Sequence, residues 1–305
     1  MELCAPISSA SSEESYIFET KRLPILREWL DDCTATHDIC ANSHGKAPLR
    51  LLDLGDATTP NALKLIETTD LEPVPYATLS HCWGKDSSKT LKTTQSSVKD
   101  HLQAVSLESL PKTYQDAVFV ARCLGIRFLW IDSLCFLQDD STDWTVQVAD
   151  MANIYQGARL TVAAASSKDS DGGCSFDIPS LAYYADVDDI RFSPLASRAW
   201  VLQEQLLSHQ VVYFHQRRMF WQCNHHFLQE CGQGRRTGLE TLRSIIVPRE
   251  SVLSFGGHSY CRRHLTYPGD RVAAFAGILE FFRARTGYTP IVGFWKESLA
   301  SDLAW

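Results

Sequence analysis

No run of apolar residues in this chain approaches the ~18 that a membrane helix needs. The opening residues, Met1-Glu-Leu-Cys-Ala-Pro-Ile7, also lack the basic segment and apolar stretch of a secretory signal. The sequence therefore predicts no membrane partner. A basic stripe is missing as well, since 29 Lys and Arg stand against 36 Asp and Glu for a net charge of -7. That balance excludes a general nucleic-acid binder, and the short clusters Arg217-Arg218, Arg235-Arg236 and Arg262-Arg263 read as solvated faces. The ten cysteines are too sparse for a disulfide scaffold. Several sit inside apolar elements (Cys82, Cys123, Cys135), which predicts reduced thiols and a cytoplasmic setting. No internal repeat is present.

What remains is an ordinary globular composition, 45% apolar and 21% charged over 305 residues, enough for one large or two moderate domains. Residues 1–20 are rich in Ser and Glu and are expected to be disordered. A helix is predicted from Leu23 to Thr34, with Leu26, Trp29 and Leu30 on one face. A short strand follows over 48–53, stopped by Gly55. Strand 76–80 leads into a polar stretch over 85–100. Helix 110–124 opens on Pro111 and closes at Gly125. Strand 127–132 comes next, then a helix capped by the acidic Asp139-Asp-Ser-Thr-Asp143 and closed by Gly157, then strand 159–165. This alternation predicts an α/β fold with a parallel sheet and right-handed crossovers. Residues 166–195 read as a long insertion. Helix 197–208 and strand 210–214 resume the pattern, 232–268 is weakly patterned, and 270–305 reads as mainly helical. The chain ends at Trp305 without a polar tail, which suggests a fragment or truncated product.

Three segments carry the chemistry. Tyr76-Ala-Thr-Leu-Ser-His-Cys-Trp-Gly84 and Arg127-Phe-Leu-Trp-Ile-Asp-Ser-Leu-Cys135 are apolar strands that end in polar, potentially reactive side chains. Groups at the carboxyl ends of neighbouring parallel strands meet in one crevice. Ser80 and His81 offer a hydroxyl and an imidazole at that rim. Trp83 is either a stacking surface or a core plug, and Gly84 either admits a ligand or makes a turn. Asp132 either binds a hydroxyl or caps the next turn. In the third segment, Ser197-Arg-Ala-Trp-Val-Leu-Gln-Glu204, a lone carboxylate stands among apolar residues with Arg198 nearby; capping or salt-bridging is its structural alternative. A Cys135–His81 nucleophile pair is not expected, because the apolar neighbours of Cys135 make an inert thiol.

Cys33-x3-His37-x2-Cys40, with His44 following, and Cys223-x-His225-His226-x4-Cys231 offer metal-ligand types. Neither matches a zinc-finger spacing, so packing is the expectation and no metal is assigned.

At these residues the chain resembles the fungal heterokaryon-incompatibility (HET) domain. The resemblance rests on Leu79-Ser-x-x-Trp-Gly84, Leu129-Trp-Ile-Asp-Ser-Leu-Cys135 with Gln138-Asp-Asp140, and Arg198-Ala-Trp-x-x-Gln-Glu204. Supporting positions run from Leu110-Pro111 to Gly172-Gly173. It spans roughly residues 25–305, with His81 where an aromatic is common and Phe136 where Ile is common. It implies a HET core over 76–230, with a helical and strand extension over 21–75 before it and a mainly helical one over 231–305 behind it.

The resemblance further implies a flavodoxin-like fold related to Toll/interleukin-receptor (TIR) domains, and a role in allorecognition and programmed cell death. Some TIR domains cleave NAD through one glutamate. Trp200-Val-Leu-Gln-Glu-Gln-Leu206 looks like that helix, with Glu204 at the glutamate's position, although the long stretch before it departs from the TIR pattern. The implied catalytic residue is Glu204, with Ser80, His81, Trp83, Gly84, Asp132, Arg198 and Trp200 around the substrate. NAD enters as substrate rather than cofactor, and a homo-oligomer is a further expectation. The alternatives are a non-catalytic module acting by self-association and an enzyme of secondary metabolism on the same fold.

Overall fold

The computed structural model describes residues 16, 18–41, 46–55, 63–69, 71–86, 90–174, 187–216, 218–230, 260, 263–291 and 294–297. The chain begins with helix α1 (Leu23–Thr36) and enters the sheet through β1 (Arg50–Asp53) and β2 (Lys64–Glu67), an antiparallel pair. The predicted alternation follows. It runs β3 (Tyr76–Ser80), α2 (Lys112–Cys123), β4 (Phe128–Trp130), α3 (Ser141–Gly157), β5 (Leu160–Ala164), α4 (Ala199–Leu207) and β6 (Gln210–His215). β7 (Arg218–Cys223) and β8 (Phe227–Gln229) extend the sheet, and α5 (Ala273–Thr286) packs on α3 and α4. The eight strands lie in the order β2-β1-β4-β3-β5-β6-β7-β8.

The four central strands β4-β3-β5-β6 are parallel, as the alternation predicts. The chain crosses from β3 to β4 through α2, then returns past β3 to β5 through α3. The two connections leave β3 in opposite directions, the topology that opens a crevice at the carboxyl ends of the central strands.

Side-chain alternation assigns the two faces. Ala77 and Leu79 of β3 join Leu26 and Leu30 of α1 and Val118 of α2 in one core layer. Tyr76 and Trp130 point the other way, to Met151, Ile154 and Tyr155 of α3. Thr78 and Ser80 share the face of Tyr76, so the polar residues of β3 look toward α3 and α4. Asp140 caps α3, accepting from the backbone N–H of Thr142 at 2.8 Å and of Asp143 at 3.1 Å.

The sheet is mixed rather than parallel throughout. β1 runs antiparallel to β4, and the Arg127 guanidinium clamps Asp53 with two 2.8 Å bonds where these strands meet. The β7 run Arg-Met-Phe-Trp-Gln-Cys is buried along its whole length, so it shows no polar alternation to announce a strand. In the C-terminal part, expected to be mainly helical, α5 is followed by a small hairpin of β9 (Pro290–Ile291) and β10 (Phe294–Trp295). Most of the weakly patterned 232–268, residues 175–186 of the long insertion, and residues 298–305 lie outside the described residues.

Disorder over 1–20 also needs correcting at Phe18. Residues 1–15 and 17 lie outside the described residues, but Phe18 is fully buried, with ring centroids 5.4 Å from Phe119 and 6.1 Å from Phe214. It bridges α2 and β6. Phe18→Ala is therefore expected to cost about 3–5 kcal/mol, the range for deleting a buried aromatic. Denaturant unfolding checks this, and a change under about 0.5 kcal/mol, the surface range, would place Phe18 outside the core.

Candidate active site

The crevice encloses about 280 Å³ and is lined by Trp83, Asp132, Arg198, Trp200 and Glu204 among others. These five come from three separate segments: the carboxyl ends of β3 and β4, and the start of α4. Five of the eight residues singled out from the sequence thus share one cavity.

Glu204 lies on the inner face of α4, buried, and its Oε2 has no hydrogen-bond partner among the described residues. Burial raises its pKa to about 7, with Arg198 opposing the shift, Ser80 and Tyr155 also favouring the charged form, and Asp132 adding to the rise. A ladder of hydroxyls holds the helix in place. Thr78 Oγ1 meets Thr161 Oγ1 at 2.7 Å, Thr161 Oγ1 meets Ser208 Oγ at 2.7 Å, and Ser208 Oγ donates to the carbonyl of Glu204 at 2.6 Å. Strand alternation thus reaches through side-chain oxygens to the backbone of the acidic residue.

Trp83 and Asp132 form a second unit. The indole Nε1 donates to Asp132 Oδ2 at 2.9 Å, and the backbone N–H of Ser133 donates to Oδ1 at 2.7 Å. Asp132 is both the first-turn anchor, as its capping alternative has it, and a wall of the crevice. Burial nevertheless holds its carboxyl above the usual range against the lowering effect of Arg198. Lys92 stands 5.1 Å over the Trp83 ring, a cation–π contact at the mouth.

Ser80, His81 and Gly84 do not line the cavity. Ser80 is buried behind it, facing Glu204. His81 is buried too, with Nε2 at 3.0 Å from the Tyr114 hydroxyl, which in turn meets Ser133 Oγ at 2.7 Å. Burial holds its imidazole well below the usual pKa, with Arg198 contributing, so His81 is neutral. Its backbone carbonyl accepts from Arg198 and fixes the guanidinium. Gly84 has φ +90°, and a Cβ there would stand 2.9 Å from Asp169 Cβ. The close approach it permits is by the protein's own loop after β5. Cys135 is fully buried with its pKa pushed up to about 12, in keeping with an inert thiol.

Sequence reasoning did not place Lys92, Gln138, Tyr267 or Asp270 in the lining. Tyr155 stood out only as an apolar helix position. Its hydroxyl faces Glu204 while its ring meets Trp130 edge-on at 5.6 Å.

A second cluster lies at the other end of the sheet. Cys33, His37, Cys40 and Cys223 bring their ligand atoms within 4.8 Å of one another, and all four are buried. The two sequence sets thus merge into one. His44 and Cys231 lie outside the described residues.

Residues 76–188 match the family model described as heterokaryon incompatibility protein (HET). The chain carries a HET domain. It is similar to heterokaryon incompatibility protein 6, OR allele, of Neurospora crassa, with 31% identity over 136 residues. That alignment takes in 42% of this chain and 20% of the relative, so the chain spans about a fifth of the length of the curated relative it matches. No solved structure matches the chain. The HET match covers Trp83 and Asp132, whereas Arg198, Trp200 and Glu204 follow after its end.

A buried acid with a raised pKa makes the HET crevice costly to fold. The folded state binds more protons than the unfolded state between pH 4.5 and about 7, so stability falls through that window as pH rises. The penalty above it is on the order of 3 kcal/mol for a shift from 4.5 to about 7. Glu204→Gln should therefore be more stable than wild type at pH 8 and level with it near pH 4. Unfolding curves at the two pH values check this; an equal difference at both would mean that the carboxyl carries no such penalty.

Proposed function

We propose that this HET domain acts in heterokaryon incompatibility as an effector of programmed cell death, and that its crevice hydrolyses NAD or a related nucleotide. The observation that carries this reading is the buried Glu204 carboxyl, whose Oε2 has no hydrogen-bond partner among the described residues, in a crevice also lined by Trp83, Trp200, Arg198 and Lys92. Cleavage breaks the bond between the ribose anomeric carbon and the nicotinamide nitrogen. The bonding pair leaves with nicotinamide, which departs neutral and needs little acid assistance. The ribosyl cation left behind takes up water and releases a proton, giving ADP-ribose.

Glu204 in its charged form would stabilise that cation electrostatically and hold the ribose hydroxyls. Trp83 and Trp200 offer faces for the planar rings, and Arg198 and Lys92 offer charge for the pyrophosphate. A pKa of about 7 leaves the carboxyl partly protonated near neutrality. The positive nicotinamide ring, on entering, would favour the charged form.

Glu204→Gln is expected to fold and to lose at least about a hundredfold in NAD turnover, the loss typical when one electrostatic stabiliser is removed. Wild-type turnover should rise with pH through about 7 as the carboxyl ionises. Arg198→Gln should move that limb to higher pH, because the guanidinium lowers the Glu204 pKa. The assay uses protein whose self-association has been measured. Equal turnover by wild type and Glu204→Gln dismisses the carboxylate. No turnover by assembled wild type, with cell killing intact in both, points to a non-catalytic module acting by self-association.

A further inference from the structure

Three cysteines and a histidine from distant parts of the chain converge away from the crevice. Cys33 is in the last turns of α1, His37 caps that helix, and Cys40 follows in the single turn Asp38–Ala41. Cys223 ends β7, where it pairs with Gln210 at the amino end of β6. The crevice opens at the carboxyl ends of the same parallel strands, so the two sites occupy opposite ends of the sheet.

The spacing is that of a metal cage. A tetrahedral zinc with Zn–S of about 2.3 Å and Zn–N of about 2.0–2.1 Å places its ligand atoms roughly 3.5–3.8 Å apart. Here His37 Nδ1 stands 3.4 Å from Cys33 Sγ and 3.7 Å from Cys223 Sγ, and all four ligand atoms lie within 4.8 Å. The sulfurs also collect N–H donors, as thiolates do. The backbone N–H groups of His225 and His226 point at Cys223 Sγ at 3.4 and 3.2 Å. Gln210 Nε2 donates to Cys33 Sγ at 3.2 Å, and Asn224 Nδ2 to Cys40 Sγ at 3.5 Å. The His225 ring stacks on His37 at 4.3 Å and braces the imidazole. Buried neutral thiols pack equally well in apolar surroundings, but they give no reason for four donors to be aimed at three sulfurs. The three thiols are not joined as disulfides.

We propose that Cys33, His37, Cys40 and Cys223 bind one structural zinc ion that staples helix α1 to strand β7. Three thiolates and an imidazole in a tetrahedron suit zinc. The four protein ligands leave no open position, so the ion holds structure and takes no part in the chemistry of the crevice. Binding displaces the thiol protons to solvent and leaves the oxidation state of the metal unchanged.

The full chain, purified from zinc-supplemented medium, should carry one tightly held zinc by elemental analysis. Replacement with Co(II) should give the intense d–d bands and sulfur-to-metal charge-transfer absorption of a thiolate-rich tetrahedral site. Cys223→Ser and Cys40→Ser should lose the metal and melt at lower temperature, whereas Cys174→Ser, buried elsewhere in the core, should keep it. Chelation should lower the melting temperature of wild type toward that of the two cluster variants. Should those variants fail to fold, the wild-type metal content and Co(II) spectrum still decide. A folded wild-type chain without stoichiometric zinc, with iron in its place, or with a disulfide among these cysteines, overturns the proposal.

Discussion

Burial of the Glu204 carboxyl against Ser80 and Tyr155 sets the energetic problem around which the crevice is built. An acid removed from water favours its neutral form, and the Arg198 guanidinium only partly reverses this. Arg198 is itself fixed, because it precedes α4, donates to the carbonyl of His81, and receives the segment around His264 as a backbone bridge. The guanidinium therefore belongs to the crevice wall and to the join between β3, α4 and the C-terminal segment at once. A more compensated carboxyl would fold more easily but would leave less uncompensated charge in the crevice.

Such a penalty needs a stiff frame. The hydroxyl ladder from Thr78 through Thr161 and Ser208 ties the carbonyl of Glu204 to the two strands that flank the switch in chain direction. On the opposite core layer α1 lies along the sheet, and the cysteine and histidine cluster pins its last turns to β7. The charged crevice and the sulfur-rich cluster thus sit at opposite ends of one sheet, where each can be tuned with little effect on the other.

The central strands and the helices between them were legible because their signals are local. Alternation, Pro111 and the Asp140 cap each act within one turn or strand, and α2, α3 and α4 fall within a few residues of expectation. The mixed edges were not legible. β1 pairs antiparallel through a clamp between Asp53 and Arg127, 74 positions apart, and β7 is buried on both faces, so neither shows from its own residues which strand it pairs with. The site was half legible. Strand ends marked Trp83 and Asp132, but the same rule misplaced Ser80 and His81, because the chain past β3 stays buried through Cys82 and reaches the crevice only at Trp83. Cys223 could join Cys33 only once β7 existed, since the spacing within each set alone matches no metal motif.

The boundary of the HET match sharpens what the crevice requires. The match ends at residue 188, after β5 but before α4 and β6. The segment therefore includes the strand ends that carry Trp83 and Asp132, yet it lacks the Glu204 carboxyl, the Arg198 guanidinium and one of the three tryptophans that line the cavity. It also leaves β5 without its β6 partner, exposing a ladder of backbone groups at the middle of the sheet. Thr266, Tyr267 and Asp270 close the cavity from beyond β8, and α5 packs behind α4. The matched segment supplies one wall with Lys92 and Asp132, and the residues after it supply the opposing wall with Arg198 and Glu204. The crevice of this chain therefore depends on α4 and the segment near residue 270 as much as on the strands that the match covers.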